Sequence, residues 1–135
     1  MKVIIAGSRS IQLYSAVAQT VKESGFVITE LVCGCADGVD RLGFVWAREN
    51  RVPVHFFPAW AEQQAWAMRN RMVGEKVEYH FGVHGKRAGY MRNLAMAEYA
   101  SALVLVWDGQ SRGSAHMKKI AESNALTVFE KIYEH

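Results

Sequence analysis

Three short stretches of this chain carry residue types suited to holding an anion. Gly7-Ser8-Arg9 follows the apolar run Val3-Ile4-Ile5-Ala6, and Gly34-Cys35-Ala36-Asp37-Gly38 follows a second apolar run. Gly109-Gln110-Ser111-Arg112-Gly113-Ser114 follows a third. A strand that ends in such small residues and passes straight into a helix leaves backbone N–H groups unpaired at the helix N-terminus. Together with the helix dipole these groups attract phosphate. Ser8 and Ser114 can each add a hydroxyl, and Arg9 and Arg112 a fixed cation suited to bidentate, charge-assisted pairing. Turns of this kind at the ends of three strands point to a nucleotide-like ligand.

Two carboxylates flank Gly38. Asp37 can accept hydrogen bonds from ribose hydroxyls, or it can cap the helix that follows. Asp40, three residues later, is poorly placed to cap and is the better ligand-binding candidate. Arg92-Asn93 opens a helix ahead of the buried run Ala102 to Trp107. An arginine so early in a helix is opposed by the dipole. It is either solvated or it reaches across the strand ends to an anionic ligand. If the chain is an enzyme, Arg92 is the anchor and Asp40 or a glutamate, Glu98 or Glu122, the acid or nucleophile.

Several chemistries are disfavoured. The first turn lacks the full Gly-x-Gly-x-x-Gly fingerprint, and there is no Gly-x-x-x-x-Gly-Lys-Ser/Thr loop, which argues against a nicotinamide dehydrogenase or a P-loop NTPase. No cofactor is expected. Cys33 and Cys35 are too close for an unstrained disulfide, and no second Cys/His cluster accompanies them. His80 and His84 lie in a glycine-bearing stretch unsuited to a firm helix, so no metal is expected.

The elements that must position these residues alternate. Lys2 to Ala6 reads as a buried strand. Ser10 is a good N-cap for a helix carrying Ile11, Leu13, Val17, Ala18 and Val21, and Gly25 ends it. Phe26 to Val32 reads as a second strand, followed by a helix that fades at Glu49-Asn50-Arg51. Val52 to Phe57 is a short third strand, and a polar helix runs from about Ala61 to Val77. Glu78 to Gly89 reads as a mobile loop, and a helix follows from about Tyr90 to Tyr99. Ser101 to Trp107 is the clearest buried strand; a helix from about Ser114 to Ser123 and a strand over Leu126 to Phe129 complete the chain. Such alternation predicts an α/β domain with a mainly parallel sheet and helices on both faces, its ligand held outside the carboxyl ends of the strands. Met68-Arg69-Asn70-Arg71-Met72 echoes Met91-Arg92-Asn93-Leu94-Ala95-Met96, as two helices built alike would.

At 135 residues the chain suits one domain over 1–135. Half its residues are apolar and 21% are charged, and the formal net charge is +3. That balance fits an anionic ligand, but the charges form no stripe of the kind nucleic-acid surfaces carry. Trp60, Trp66, Tyr79, Phe81 and Tyr90 can offer stacking faces, yet aromatics in so small a domain more often fill the core. Nucleic acid is therefore not the expected partner. No leader is visible and no run approaches the roughly 20 apolar residues of a membrane span, so a cytoplasmic setting without membrane contact is expected.

Gly7-Ser8-Arg9, Cys33-Gly34-Cys35-Ala36-Asp37-Gly38-Val39-Asp40-Arg41-Leu42 with Trp46-Ala47, and Phe57-Pro58-Ala59-Trp60 resemble successive blocks of the YspA-like family of the SLOG superfamily. Gly89-Tyr90-Met91-Arg92-Asn93 with Met96, Val106-Trp107-Asp108-Gly109 and Gly113-Ser114 continue the resemblance in order, over nearly the whole chain. It implies a single Rossmann-like three-layer domain, and a superfamily that includes lonely-guy phosphoribohydrolases, the DprA domain and sensors of nucleotide-derived signals. It places Gly7, Ser8 and Arg9 in a first phosphate loop and Gly34, Gly38 and Asp40 in a second. Arg92 and Asn93 match an Arg-Asn signature, Gly113 and Ser114 stand where a Gly-Thr pair binds phosphate, and Asp108-Gly109 completes the ligand-binding set with Asp37. Lonely-guy hydrolases carry a glutamate three residues after that pair, where this chain has Met117. The resemblance thus implies a nucleotide-binding module, with an N-glycosidic hydrolase as the alternative and a nucleic-acid-binding domain as the third reading. It also implies association into a homo-oligomer through helices beside the site, for which the Trp66-to-Met72 helix is a candidate surface.

Overall fold

Five strands pair in parallel in the order β3-β2-β1-β4-β5: β1 (Lys2–Gly7), β2 (Glu30–Cys33), β3 (Val54–Phe56), β4 (Ala102–Trp107) and β5 (Thr127–Ile132). The computed structural model describes residues 1–78 and 85–133. Helices α1 (Tyr14–Ser24), α2 (Val39–Glu49), α3 (Ala61–Asn70), α4 (Ala88–Tyr99) and α5 (Arg112–Ser123) connect the strands.

Side-chain alternation along the strands divides the core between the two faces. Val3, Ile5, Leu31, Phe56 and Val104 pack with Val17, Val21, Val39, Ala47 and Ala67, so α1, α2 and α3 cover one face. Ile4, Val32, Leu103 and Leu105 pack with Met96, Ala97, Met117 and Ala121, so α4 and α5 cover the other. The result is the expected three-layer α/β architecture, with every strand pair parallel. The chain crosses from one side of β1 to the other after β3. The carboxyl ends of β1 and β4 thus form the point where the winding reverses, the place ligands occupy in open sheets of this kind.

The boundaries differ from the sequence reading in instructive ways. The first helix begins at Tyr14 with Leu13 at its N-cap and no capping side chain, not at Ser10. Ile11 is buried, and its N–H bonds the Ser8 carbonyl at 3.4 Å, so the chain makes a turn and anchors Ile11 before the helix starts. β2 starts only at Glu30; Phe26 and Ile28 pack against the core from outside the ladder. The second helix is capped by Gly38 without a side-chain bond, so Asp37 is no cap.

Helix α3 ends at Asn70 instead of reaching Val77. The buried Glu75 carboxylate accepts from the Val54 and Met72 N–H groups at 2.8 Å each and from Arg48 at 2.5 and 2.7 Å. Those bonds draw the segment back along β3, where Val77 bridges Phe56. Half of the predicted loop over 78–89, residues 79–84 with His80 and His84, lies outside the described residues, and Ala88 and Gly89 at its end belong to α4. Helices α4 and α5 each begin two residues earlier than expected, and β5 extends to Ile132.

Candidate functional site

A cleft of about 390 Å³ opens where β1 and β4 end, walled by the first turn, the start of α2, and helices α4 and α5. Nine sequence-predicted residues line it: Gly7, Ser8, Arg9, Asp40, Arg92, Asn93, Asp108, Gly113 and Ser114. Gly7 lets the two strand ends close up, since a Cβ there would sit 1.7 Å from the Val106 carbonyl oxygen. The Ser8 N–H in turn donates to that carbonyl at 3.2 Å, and the Ser8 Oγ accepts from the Asp108 N–H at 3.0 Å. Ser8 therefore ties the strand ends together, and its N–H is already spent.

Four predicted residues stand behind or beside the cleft. Gly34 lies against Asp40 and Arg92. Gly38, at φ +78°, packs under the Ser8 and Arg9 backbone. Gly109 turns the chain at φ +81° beside Ile132. Asp37 points outward to Arg41 at 2.8 Å, and Arg41 also holds Glu62. The structure does not bring the Asp37 side chain to the cleft, and Arg112 does not line it either.

Arg92 is not a solvated surface residue: it is 6% exposed and lies one turn inside α4. Its Nε donates to Asn93 Oδ1 at 3.1 Å, and its Nη1 donates to the Gly34 and Phe57 carbonyls and to Gln63 Oε1. Among the described residues no acceptor takes up its Nη2. Burial lowers the Arg92 pKa while the charge of Asp40 opposes that shift, and burial raises the Asp40 pKa against the pull of Arg92 and the Ala36 N–H. An arginine keeps its proton even so, so the cleft holds a fixed, positioned cation. Its counterpart in the sequence echo, Arg69, is exposed, so the two helices are not built alike.

The dipole that faces the cleft belongs to α5. Ser111 caps that helix, its Oγ accepting from the Ser114 N–H at 3.3 Å. Ser114 is 4% exposed, and its Oγ has no hydrogen-bond partner although it lines the cleft. A buried hydroxyl without a partner is rare and costs about 1–3 kcal/mol. Asn93 links this helix to α4, its Nδ2 donating to the Gly113 carbonyl at 3.4 Å and to His116 Nδ1 at 3.2 Å. Burial and the nearby Lys119 lower the His116 pKa, which keeps that nitrogen an acceptor.

Two carboxylates line the cleft among the described residues, Asp40 and Asp108. The Asp108 Oδ1 accepts from the Gln110 and Ser111 N–H groups at 2.9 Å each, which holds its pKa below the usual value and shapes the turn into α5. Met117 forms part of the cleft wall where the lonely-guy pattern has a glutamate, and neither Glu98 nor Glu122 lines it. Sequence reasoning missed Gln63, which aims the guanidinium of Arg92. It looks like one more polar residue on a polar helix, and only the fold shows it buried.

A larger hollow, about 720 Å³, lies at the opposite, amino ends of β2 and β3. Its acids and bases largely satisfy each other: Arg48 with Glu75, His55 with Glu78, Tyr99 with Glu30. The buried His55 Nδ1, 3.3 Å from Glu30, has no hydrogen-bond partner among the described residues, but none of the sequence-predicted site residues lines this hollow.

No group of three metal-ligating side chains occurs among the described residues, and both cysteines are free and buried. None of the described helices is long and apolar enough to cross a membrane. No protein-family model and no curated protein matches the chain. Among solved structures it is similar to the X-ray structure of DNA processing protein A (DprA) from Streptococcus pneumoniae, with a TM-score of 0.70 and 19% sequence identity. The match covers 96% of this chain and 49% of that one, so the chain spans about half the length of that structure. The likeness shows that this chain has the Rossmann-like fold of the DprA structure, the fold that the SLOG resemblance implies.

Proposed function

We propose that this protein binds a phosphorylated nucleoside in the cleft at the β1/β4 ends, as a sensor, carrier or sequestering module of the YspA-like kind. The observation that carries this reading is the unpartnered Ser114 hydroxyl, buried at the N-terminus of α5 in the cleft that Arg92 also lines. A phosphate there would accept from the hydroxyl, from Arg92 and from the end of the helix, each stronger for the anion's charge. Asp40 and Asp108 would then accept from ribose hydroxyls. Met117 in place of a glutamate favours binding over N-glycosidic hydrolysis, because the cleft lacks the acid that position would supply.

The test is a thermal-shift screen with AMP, ADP, GTP, NAD, ADP-ribose, cyclic nucleotides and ribose 5-phosphate, on the wild type and on Ser114→Ala. A ligand at about 100 times its Kd adds about 2.7 kcal/mol of apparent stability. Ser114→Ala removes a buried hydroxyl that bonds nothing, so the ligand-free protein should be no less stable than the wild type, and should gain where that cost is relieved, while the ligand-induced shift shrinks. No shift with any ligand would defeat the reading.

A second reading is nucleic-acid binding. The expectation against it gains no support from the similar structure, that of a protein named for DNA processing. Affinity for single-stranded DNA that falls steeply with salt would favour this reading. Pairing of two copies would use the Trp66-to-Met72 surface, where Met68 and Met72 are exposed, or α4, whose Tyr90, Met91 and Leu94 are also exposed. Light scattering at micromolar concentration checks it.

A further inference from the structure

A second, smaller hollow of about 200 Å³ adjoins the cleft and shares Arg9, Arg92, Asn93 and Gly113 with it. Its remaining wall differs in chemistry: the rings of Trp60 and Tyr90, with Lys86 and the bare backbone of Gly89. We infer that this annex is the base-binding subsite of the cleft, taking the planar heteroaromatic ring of a nucleotide whose phosphate lies at Ser114. The inference rests on the reading of the cleft as a phosphate site.

Both rings are fixed before any ligand arrives. The Trp60 Nε1–H donates to the Gly85 carbonyl at 3.1 Å. The edge of its indole lies against α4 at Gly89, where a Cβ would come within 2.8 Å of Cη2. Tyr90 rests on His116, with ring centroids 4.4 Å apart, and stays 46% exposed. Rings held in place yet open to solvent make a stacking platform, because their ordering entropy is already spent. The Arg9 guanidinium, 5.9 Å from the Trp60 ring centre, brings a second flat, cationic group to the same wall. About 200 Å³ is half the volume of the main cleft, which suits one ring system and not a second nucleotide.

The experiment measures affinities of AMP, GMP, CMP, UMP and ribose 5-phosphate by calorimetry on wild type, Trp60→Ala, Trp60→Phe and Tyr90→Ala. The best nucleotide should bind the wild type about tenfold or more tighter than ribose 5-phosphate, as stacking of one base allows. Trp60→Ala should erase most of that advantage while leaving ribose 5-phosphate within about twofold, and Trp60→Phe should restore part of it. Tyr90→Ala, at an exposed position, should reduce the nucleotide advantage without disturbing the fold. Ribose 5-phosphate binding as tightly as every nucleotide would overturn the base subsite and leave the phosphate reading intact. So would equal loss of both ligand types in Trp60→Ala. Binding of none of the five to the wild type would defeat the phosphate reading, and the subsite with it.

Discussion

Asp40 and Arg92 approach each other across the backbone of Gly34: a Cβ built on that glycine would lie 2.6 Å from Asp40 Oδ2 and 3.2 Å from Arg92 Nη1. Both side chains are buried, and each shifts the other's pKa toward its charged form against the effect of burial. The glycine is thus required by its neighbours' bulk, and the pair reaches the cleft only because nothing fills the space between them.

Replacement of Gly34 by alanine follows directly. The Asp40 carboxylate, held by the Ala36 N–H at 3.2 Å, has little room to retreat. Overpacking of this kind costs about 1–3 kcal/mol. Urea denaturation of Gly34→Ala should show that loss, and ligand affinity should fall with it because Arg92 is displaced. Unchanged stability would mean that the carboxylate swings aside freely.

Gly113 offers the opposite case. It sits in the first turn of α5 and lines the cleft, and a Cβ there would meet nothing within 4 Å. Gly113→Ala should therefore stabilise the ligand-free protein by about 0.5–1 kcal/mol through helix propensity. The added methyl occupies space at the mouth of the cleft, so affinity for a phosphate ligand should drop. Calorimetry alongside thermal unfolding separates the two effects; a variant that gains stability and keeps its affinity would move the ligand away from this turn.

The strand ends were legible because small residues after apolar runs mark them: Gly7, Gly34 and Gly109 each fall where a strand stops or just beyond. Seven of the nine candidate residues in the cleft lie together for the same reason, and Arg92 and Asn93 reach it from α4. What the pattern did not reveal depends on tertiary partners. The end of α3 is set by Glu75, a residue outside the helix, and the start of α1 by the burial of Ile11. Arg92 looked equally suited to solvent or ligand until Gly34, Phe57 and Gln63, all distant in sequence, supplied its acceptors. Asp37 failed to reach the cleft because Arg41, one turn on, pairs with it outside.

Two tyrosines should titrate late. Burial and a carboxylate acceptor push Tyr14 and Tyr99 up to about 12 each, the acceptors being Glu49 at 2.8 Å and Glu30 at 2.5 Å. Because the folded values are raised, the stability these phenols contribute is present below about pH 10 and is lost as pH rises toward 12. Absorbance titration should resolve a late phase that shrinks in Tyr99→Phe. A single phase near 10 would contradict the Tyr99–Glu30 bond.

Glu75 makes the corresponding prediction in acid. Burial alone would raise its pKa, but bonds from Arg48 and from the Met72 and Val54 N–H groups lower it below 4.5. A carboxylate depressed on folding contributes stability that is complete above its unfolded value and is lost as pH falls through the folded one. Glu75→Gln removes the charge but keeps the shape, leaving Arg48 without its partner. It should cost about 2–4 kcal/mol near neutrality. The gap between wild type and variant should hold from neutrality down to about pH 4.5 and narrow below it, where the wild-type carboxylate takes up its proton. The variant should also release the segment 71–78 from β3, which hydrogen exchange at the Val54 and Met72 amides would register. A pH-independent gap would assign the loss to the acceptor oxygen that the amide lacks and not to charge.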